Sequence, residues 1–491
     1  MLFNSLTFAI FLFVVFVLYW FVFQRNLKLQ NFFVVVASYV FYGWWDWRFL
    51  LLIAFTSFCS WGCGLLMQHV DNQQSHAPRL SRKFLSISNI VLNLGILGVF
   101  KYYNFFIENF VSAFASAGIQ LQPHTLKIIL PVGISFYTFQ ALSYSIDVYK
   151  RKMEPTKDVV AFCAYIGFFP LLVAGPIERA TNLLPQFYVK RTFNYEQAVD
   201  GMRQILWGLF KKIVIADNCA TYVNYVFENY QAQTGSTLLL GAVLFAFQIY
   251  GDFSGYSDIA IGTARLFGIH AMRNFNFPYF ARDIAEFWRR WHISLTTWFR
   301  DYVYIPLGGS RVSKAKIVRN TFIIFLVSGF WHGADWTFIA WGAFHAFLFL
   351  PLILLGKNRK NTNTVAEGKL WPSFKELFQM GSTFGLVVIA WVLFRADNIT
   401  QAWIYITRIF SSSIFTIPAY DIVDISLKTL GGFILFFMLM EWFGRRNKYA
   451  IEQLWTKRKA YVRYLFYLIL TVIILSYNMK EGATEFIYFQ F

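Results

Sequence analysis

The sequence predicts an all-α polytopic membrane protein, and three observations support this fold class. Hydrophobic residues fill 57% of the 491 positions, whereas charged residues fill only 14%. Aromatic residues account for 21% of the chain and include 58 Phe. Several apolar stretches are long enough to cross a bilayer, and 5–23 is the clearest of them. Uninterrupted apolar blocks of this length favour helices over the short alternating strands of a membrane β-barrel.

Apolar segments recur along the whole chain and suggest roughly eleven spans within one membrane domain at 1–491. The segments lie at 5–23, 31–45, 49–67, 85–108, 127–148, 158–175, 202–228, 236–266, 321–340, 342–355, 382–395, 428–443 and 464–477. Two of them, 127–148 and 158–175, contain Pro and Gly, so we expect these to be broken or re-entrant.

Basic residues in the loops predict the orientation of the chain, because cytoplasmic loops of membrane proteins are rich in Lys and Arg. Arg25 and Lys28 follow the first span, and three basic residues at 150–152 follow the fifth. The segment 444–463 is also rich in Lys and Arg. We therefore expect the N-terminus, and the last span with its tail at 464–491, to reach the extracytoplasmic side. The same loops account for the net charge of +18, so no nucleic acid partner is expected.

A different element lies between the spans at 281–305. Its apolar residues recur at helical spacing, and Glu286, Arg289, Arg290 and Arg300 fall on the other faces. This pattern predicts an amphipathic helix that lies at the membrane interface or lines a wet cavity. His292 lies at the edge of the apolar stripe. It is either incidental to an anchoring helix or a functional group.

A second histidine, His332, lies in the apolar stretch "SGFWHGADWTF" (328–338). A buried polar group needs a partner, and an ionisable group inside a membrane segment is a functional candidate. The alternative is a core histidine that forms a hydrogen bond with Asp335, or a histidine beside a helix break at Gly329 or Gly333.

The two histidines are the best candidates for chemistry because familiar sites are missing from the sequence. It contains no phosphate-binding P-loop, no HExxH motif and no Cys and His set with the spacing of a zinc site. A neutral imidazole can act as general base on a hydroxyl group, and a second His or an indole N–H can stabilise the oxyanion of an acyl transfer. Such a site needs no metal.

Five sequence blocks, in order along the chain, resemble the membrane-bound O-acyltransferase family, and most of all its bacterial alginate O-acetyltransferase branch. The resemblance implies helices around a central funnel, where a cytoplasmic acyl thioester meets an acceptor. The family's catalytic histidine corresponds to His332, and the second histidine of this branch corresponds to His292. The blocks are "PVGISFYTFQALSYSIDVYK" (131–150), "FFPLLVAGPIER" (168–179), "GDFSGYSDIAIG" (251–262), "FWRRWHISLTTWFRDYVYIPLGGSR" (287–311) and "SGFWHGADWTFIAWG" (328–342).

This resemblance also implies an activity and its partners. The expected enzyme is an O-acetyltransferase of the bacterial inner membrane, with acetyl-CoA as donor substrate and no permanently bound cofactor. The acceptor is an extracytoplasmic polysaccharide, and an SGNH-type acetyltransferase outside the cytoplasm completes the transfer. Arg289, Arg290 and Arg300 are candidates for binding the phosphates of coenzyme A. Their alternative role is ordinary charge at the cytoplasmic face.

The tail "FIYFQF" (486–491) suggests a relay. Related D-alanylation systems carry a similar aromatic motif on a separate small subunit, whose tyrosine is thought to receive the acyl group. The resemblance thus implies that Tyr488 accepts acetyl at the His332 site. A phenol with a pKa of about 10 is a workable nucleophile beside a general base. The alternative is an aromatic anchor at the membrane interface.

Two other functions remain open on the sequence. The donor could be an acyl carrier protein and the cargo D-alanine or a longer acyl chain. A transporter or flippase without chemistry would also explain a polytopic fold with intramembrane histidines. Transporters often consist of two matching halves, and this sequence has no such internal symmetry.

Overall fold

The computed structural model describes residues 1–72, 79–122, 125–419, 426–454, 459–478 and 487. Every regular element within these residues is helical, which confirms the all-α prediction. The α-helices are α1 Leu6–Val17, α2 Leu27–Gly43, α3 Arg48–Asn72, α4 Arg79–Leu97, α5 Tyr103–Ser116, α6 Ile134–Tyr149, α7 Val159–Gly167, α8 Phe169–Leu172, α9 Ala180–Leu183, α10 Tyr195–Leu209, α11 Asp217–Glu228, α12 Gly235–Leu266, α13 Ile284–Arg290, α14 Ile293–Phe299, α15 Lys314–His332, α16 Trp336–Leu354, α17 Phe374–Arg395, α18 Ile399–Ile409, α19 Leu427–Gly444 and α20 Ala460–Asn478.

Seven helical segments among the described residues are long and apolar enough to cross a membrane. They are α3, the segment formed by α4 and α5, α12, α16, α17, α19 and α20. A shorter apolar helix covers Leu6–Val22. These helices support the polytopic fold class, whereas the count of roughly eleven spans stays a prediction.

The described residues form two compact units, one of residues 1–198 with 263–272 and the other of 199–262 with 273–491. A single membrane domain over the whole chain therefore stays a prediction. In the first unit, the expected interruption of 158–175 is confirmed, because Phe168 separates α7 from α8. Gly133 precedes α6 with a φ of +75°, and a Cβ there would lie 2.7 Å from the carbonyl oxygen of Leu172.

In the second unit, glycines bring α10 and α12 into close contact. A Cβ on Gly208 would lie 2.6 Å from the carbonyl oxygen of Gly255, and a Cβ on Gly255 would lie 2.8 Å from that of Gly208. Small residues at a crossing let two backbones approach, as in membrane helix pairs. The chain after α10 continues as a π-helical segment at Phe210–Ala216. This packing places that segment against the middle of α12.

The structure differs from the single helix expected over 281–305. Two short helices, α13 and α14, meet at a break where His292 has a φ of +43°. A neighbouring segment takes up the backbone groups that the break releases. The amide of Asn276 donates to the carbonyl of Arg290 at 2.9 Å, and the amide of Ile293 donates to the carbonyl of Asn274 at 2.8 Å. Apolar periodicity does not reveal a break whose hydrogen bonds are replaced by a segment outside the pattern.

Candidate active site

His332 is the last residue of α15, at the turn into α16. The helix ends there because Gly333 has extended backbone, and the ring of Phe338 occupies the space that a Cβ on Gly333 would need. Asp335 then caps α16 by accepting a hydrogen bond from the amide of Thr337 at 2.7 Å. The helix break anticipated beside His332 is therefore present.

Aromatic rings surround the His332 imidazole, which is only 3% exposed. The ring centroids of Trp331, Trp341 and Phe394 lie 4.8, 5.1 and 5.3 Å from it. The indole N–H of Trp341 is buried and has no hydrogen-bond acceptor among the described residues. An apolar wall excludes water and strengthens the few polar interactions that form inside it.

His292 is buried and held by a polar network on one side of its ring. Its Nδ1 lies 3.0 Å from the side-chain oxygen of Asn274. The same oxygen accepts from the hydroxyl of Ser294 at 2.9 Å, and the amide nitrogen of Asn274 donates to Ser257 at 3.0 Å. Because the backbone N–H of Ser294 also points at that oxygen, it must be an acceptor, so Nδ1 of His292 carries the proton. The opposite nitrogen, Nε2, is therefore unprotonated, and its lone pair has no hydrogen-bond donor among the described residues.

One indole ring connects the two predicted histidines. The ring centroid of Trp331 lies 6.2 Å from that of His292 and 4.8 Å from that of His332. Phe253 of α12 also packs on His292, with ring centroids 4.6 Å apart. The structure thus brings residues 40 positions apart in the sequence into one aromatic pocket, which holds a buried imidazole lone pair and a buried indole donor.

Two further residues of this region contact the site, although no motif in the sequence indicates them. Asn274 orients His292 across 18 positions, and neither spacing nor composition indicates such a role. His345 is fully buried, and its Nδ1 accepts from the indole N–H of Trp288 at 3.3 Å. It therefore has the surroundings of a core histidine.

The three arginines proposed for coenzyme A differ in accessibility. Arg289 donates to two loop carbonyls at 2.8 and 2.7 Å. Arg290 is buried and forms an ion pair with Glu286 at 2.7 Å. Arg300 has 57% of its side chain exposed beside Asp301. Arg289 and Arg300 are therefore accessible and Arg290 is not, and the phosphate-binding role stays a prediction. Within the described residues, no group of three or more His, Cys, Asp or Glu side chains is arranged to hold a metal ion.

A buried set of charges joins the π-helical segment to α12. Lys211 lies 2.6 Å from Asp258, and Lys212 lies 2.7 Å from Asp252. Tyr488 lies outside the described residues. Its neighbour Ile487 is described and is 3% exposed, and its amide donates to Asp252 at 2.7 Å.

The chain is similar to proteins of known family over most of its length. The model of the membrane-bound O-acyltransferase family matches residues 156–382, a range that includes both histidines. A probable alginate O-acetylase AlgI of Pseudomonas aeruginosa is 38% identical over 423 residues, which cover 86% of this chain and 78% of that protein. A peptidoglycan O-acetyltransferase of Helicobacter pylori is 34% identical over 406 residues, 77% of this chain and 73% of that protein. A teichoic acid D-alanyltransferase of Bacillus subtilis is 30% identical over 242 residues, 46% of this chain and 59% of that protein. The chain therefore belongs to the membrane-bound O-acyltransferase family and is a multi-pass membrane O-acyltransferase.

Proposed function

We propose that this protein passes acetyl groups from cytoplasmic acetyl-CoA across the bacterial inner membrane to acetylate an extracytoplasmic polysaccharide. The observation that carries the proposal is the aromatic pocket in which Trp331 contacts both His292 and His332. Acetyl as the cargo and a glycan as the acceptor are supported by two relatives, which are named for the acetylation of alginate and of peptidoglycan.

In the first step, His332 removes the proton from the hydroxyl of Tyr488. The phenolic oxygen attacks the carbonyl carbon of acetyl-CoA, and the C–S bond breaks. Coenzyme A leaves as a thiol with the proton that His332 carried, and acetyl remains on Tyr488 as an aryl ester. A general base of this kind contributes a factor of about 10²–10⁴ to the rate.

The negative charge on the thioester oxygen needs a donor during this attack. The indole N–H of Trp341 is buried without an acceptor among the described residues, and its ring packs on His332. A fixed donor in a water-excluded pocket stabilises an oxyanion strongly. His292 presents an unprotonated Nε2, so its role is to accept a hydrogen bond from the partner's hydroxyl in the second step and to orient it.

In the second step, a hydroxyl of an extracytoplasmic SGNH-type partner attacks the aryl ester and regenerates Tyr488. The partner then acetylates the polysaccharide. This order requires the tail at 464–491 to reach the extracytoplasmic side, as the loop charges predict, with the N-terminus on the same side. Arg300, and to a smaller extent Arg289 and Arg290, would bind the phosphates of the donor at the cytoplasmic face.

The experiment is a mass-spectrometric search for acetyl on the peptide that contains Tyr488. Purified protein is incubated with isotope-labelled acetyl-CoA, in parallel with His332→Ala, Tyr488→Phe and the control His345→Asn. His345 is also a buried histidine, and asparagine keeps an acceptor for Trp288. Label should appear on the native and His345→Asn proteins only. Hydrolysis of acetyl-CoA that depends on His332, without label on Tyr488, would reject the relay and keep the acetyltransferase.

The D-alanyltransferase relative makes a carrier-protein donor the second candidate, although it aligns with less than half of this chain. The same protein incubated with D-alanyl carrier protein distinguishes the two donors. Transfer from the carrier but not from acetyl-CoA would replace the proposed donor and leave the acyltransferase chemistry in place.

A further inference from the structure

Asp252 is a buried carboxylate that contacts the C-terminal segment. It lies in the middle of α12, and only 2% of it is exposed. Its Oδ2 accepts a hydrogen bond at 2.7 Å from the backbone amide of Ile487, across 235 positions of sequence. Ile487 is itself 3% exposed. A carboxylate that accepts from a backbone N–H forms a charge-assisted hydrogen bond, which is stronger than one between neutral groups.

Lys212 holds this carboxylate in place. Its ammonium nitrogen lies 2.7 Å from Oδ1 of Asp252 and 2.8 Å from Asp217. Lys212 is 1% exposed, so the interaction is shielded from water. One carboxylate oxygen thus contacts the lysine while the other accepts from the tail amide. A buried ion is retained when its geometry is good and its remaining lone pairs are used, as here.

The contact lies one residue along α12 from a side chain of the histidine pocket. Phe253, the next residue on α12, packs edge-to-face on His292 with ring centroids 4.6 Å apart. The Ile487 amide is therefore bound to α12 one residue from the ring that packs on His292. Residue 488 is joined to Ile487 by a single peptide bond, and consecutive Cα atoms are about 3.8 Å apart. Fixing the amide of Ile487 consequently restricts the volume that the next side chain can reach.

We propose that Asp252 is a positioning residue that docks the C-terminal segment beside the histidine pocket, with Lys212 as its support. This inference rests on the proposed function only for its consequence, the delivery of the Tyr488 hydroxyl to the thioester. The docking itself is a separate claim about the native fold. An aromatic tail that only anchors the protein at a lipid interface would not require a buried backbone hydrogen bond to an internal carboxylate.

The first measurement tests docking without any activity. Ile487→Cys is made in a background in which the four native cysteines are replaced by serine, and alkylation of Cys at this position by a maleimide is followed in detergent. Removing a hydrogen bond to a charged group should speed alkylation by about tenfold or more in Asp252→Ala. Asp258→Ala is the matched control, because Asp258 also lies on α12 and pairs with a lysine of the π-helical segment, at 2.6 Å, whereas the Ile487 amide donates to Asp252. Equal alkylation rates in the two variants would overturn the docking.

The second measurement tests the consequence. Asp252→Ala should lower acetyl label on Tyr488 by about tenfold or more while hydrolysis of acetyl-CoA that depends on His332 continues. Asp252→Asn keeps an acceptor oxygen and should recover part of the label. A loss of label and hydrolysis together would show a structural role only and reject positioning. Faster alkylation in Asp252→Ala, combined with no label on Tyr488 in the native protein, would retain the docking and reject the relay.

Discussion

The side-chain oxygen of Asn274 lies 3.0 Å from Nδ1 of His292 and fixes which nitrogen of that ring carries a proton. The backbone and hydroxyl of Ser294 both donate to the same oxygen, so the amide cannot turn its NH₂ group toward the ring without losing them. His292 itself has left-handed backbone, with φ of +43°, between the two short helices. Strained backbone of this kind persists where the surrounding contacts determine it, and it occurs often at functional sites.

We expect Asn274→Ala to slow acyl transfer by roughly tenfold to a hundredfold, because the ring then loses its orienting acceptor and its fixed tautomer. The rate of label transfer to Tyr488 measures this, with the KM for acetyl-CoA as a second readout. Ser257→Ala is the control, since it removes a partner of the amide nitrogen and leaves the amide oxygen facing His292. A raised KM with an unchanged turnover rate would contradict an orienting role for Asn274.

The indole N–H of Trp341 gives the second prediction. Trp341→Phe keeps an aromatic ring against His332 and Phe394 but removes the donor. Loss of one oxyanion donor typically lowers the turnover rate by about 10²–10³-fold, with little change in KM. Trp391→Phe serves as the control, because Trp391 stacks on Trp341 but is not in ring contact with His332. If both variants lose activity equally, packing rather than hydrogen bonding explains the effect.

Sequence reasoning predicted the fold class, which the structure confirms, and proposed two histidines, which the structure places in one pocket, but it did not predict the shape of that pocket. Long apolar segments indicate residues that are buried in lipid or in the protein core, so the helical membrane fold could be predicted from them. The role expected for His332 came from the family resemblance, since a lone histidine in an apolar stretch fits a core position equally well. Periodicity over 281–305 missed the break at His292, because hydrogen bonds with the backbone of Asn274 and Asn276 replace those within a helix. Such partners are set by tertiary contacts, which a sequence pattern does not contain.

The crossing of α15 and α16 predicts a sharp difference between two glycines. A Cβ on Gly329 would collide with the backbone carbonyl of Phe338, whereas a Cβ on Gly385 of α17 would meet no heavy atom within 4 Å. Gly329→Ala should therefore separate the two helices, lower the melting temperature and displace His332. Gly385→Ala should be neutral or slightly stabilising, because alanine favours a helix by about 0.5–1 kcal/mol. Thermal unfolding in detergent measures both, and equal melting temperatures would contradict the close crossing.

Substitutions of Arg300 and Arg290 should have different effects, the first on donor binding and the second on folding. Arg300→Ala is expected to raise the KM for acetyl-CoA by about three- to tenfold with an unchanged turnover rate, because an exposed ion contact contributes modestly. Arg290→Ala should instead reduce the yield of folded protein, since it leaves part of the Glu286 charge without its partner. The exposed Arg25 provides the control. An unchanged KM in Arg300→Ala would remove this residue from the donor site.

Glu178, in the loop between α8 and α9 of the first unit, predicts a pH dependence of stability. Burial raises the pKa of its carboxyl from 4.5 to about 7, although hydrogen bonds from the Met272 amide and the Asn182 side chain favour the charged form. The folded protein therefore binds this proton more tightly than the unfolded chain does. The stabilisation from the bound proton is complete below pH 4.5 and is lost as the pH rises to about 7.

Glu178→Gln removes this titration but keeps an acceptor for the Met272 amide, which lies 2.5 Å from the carboxylate. On raising the pH from about 5 to about 8, the native protein should lose up to about 3 kcal/mol more stability than the variant. The melting temperatures of the two proteins across this range, measured in one detergent, provide the comparison. A difference that stays constant with pH would show that Glu178 is already ionised when folded. In that case its two hydrogen bonds, rather than burial, would determine its charge.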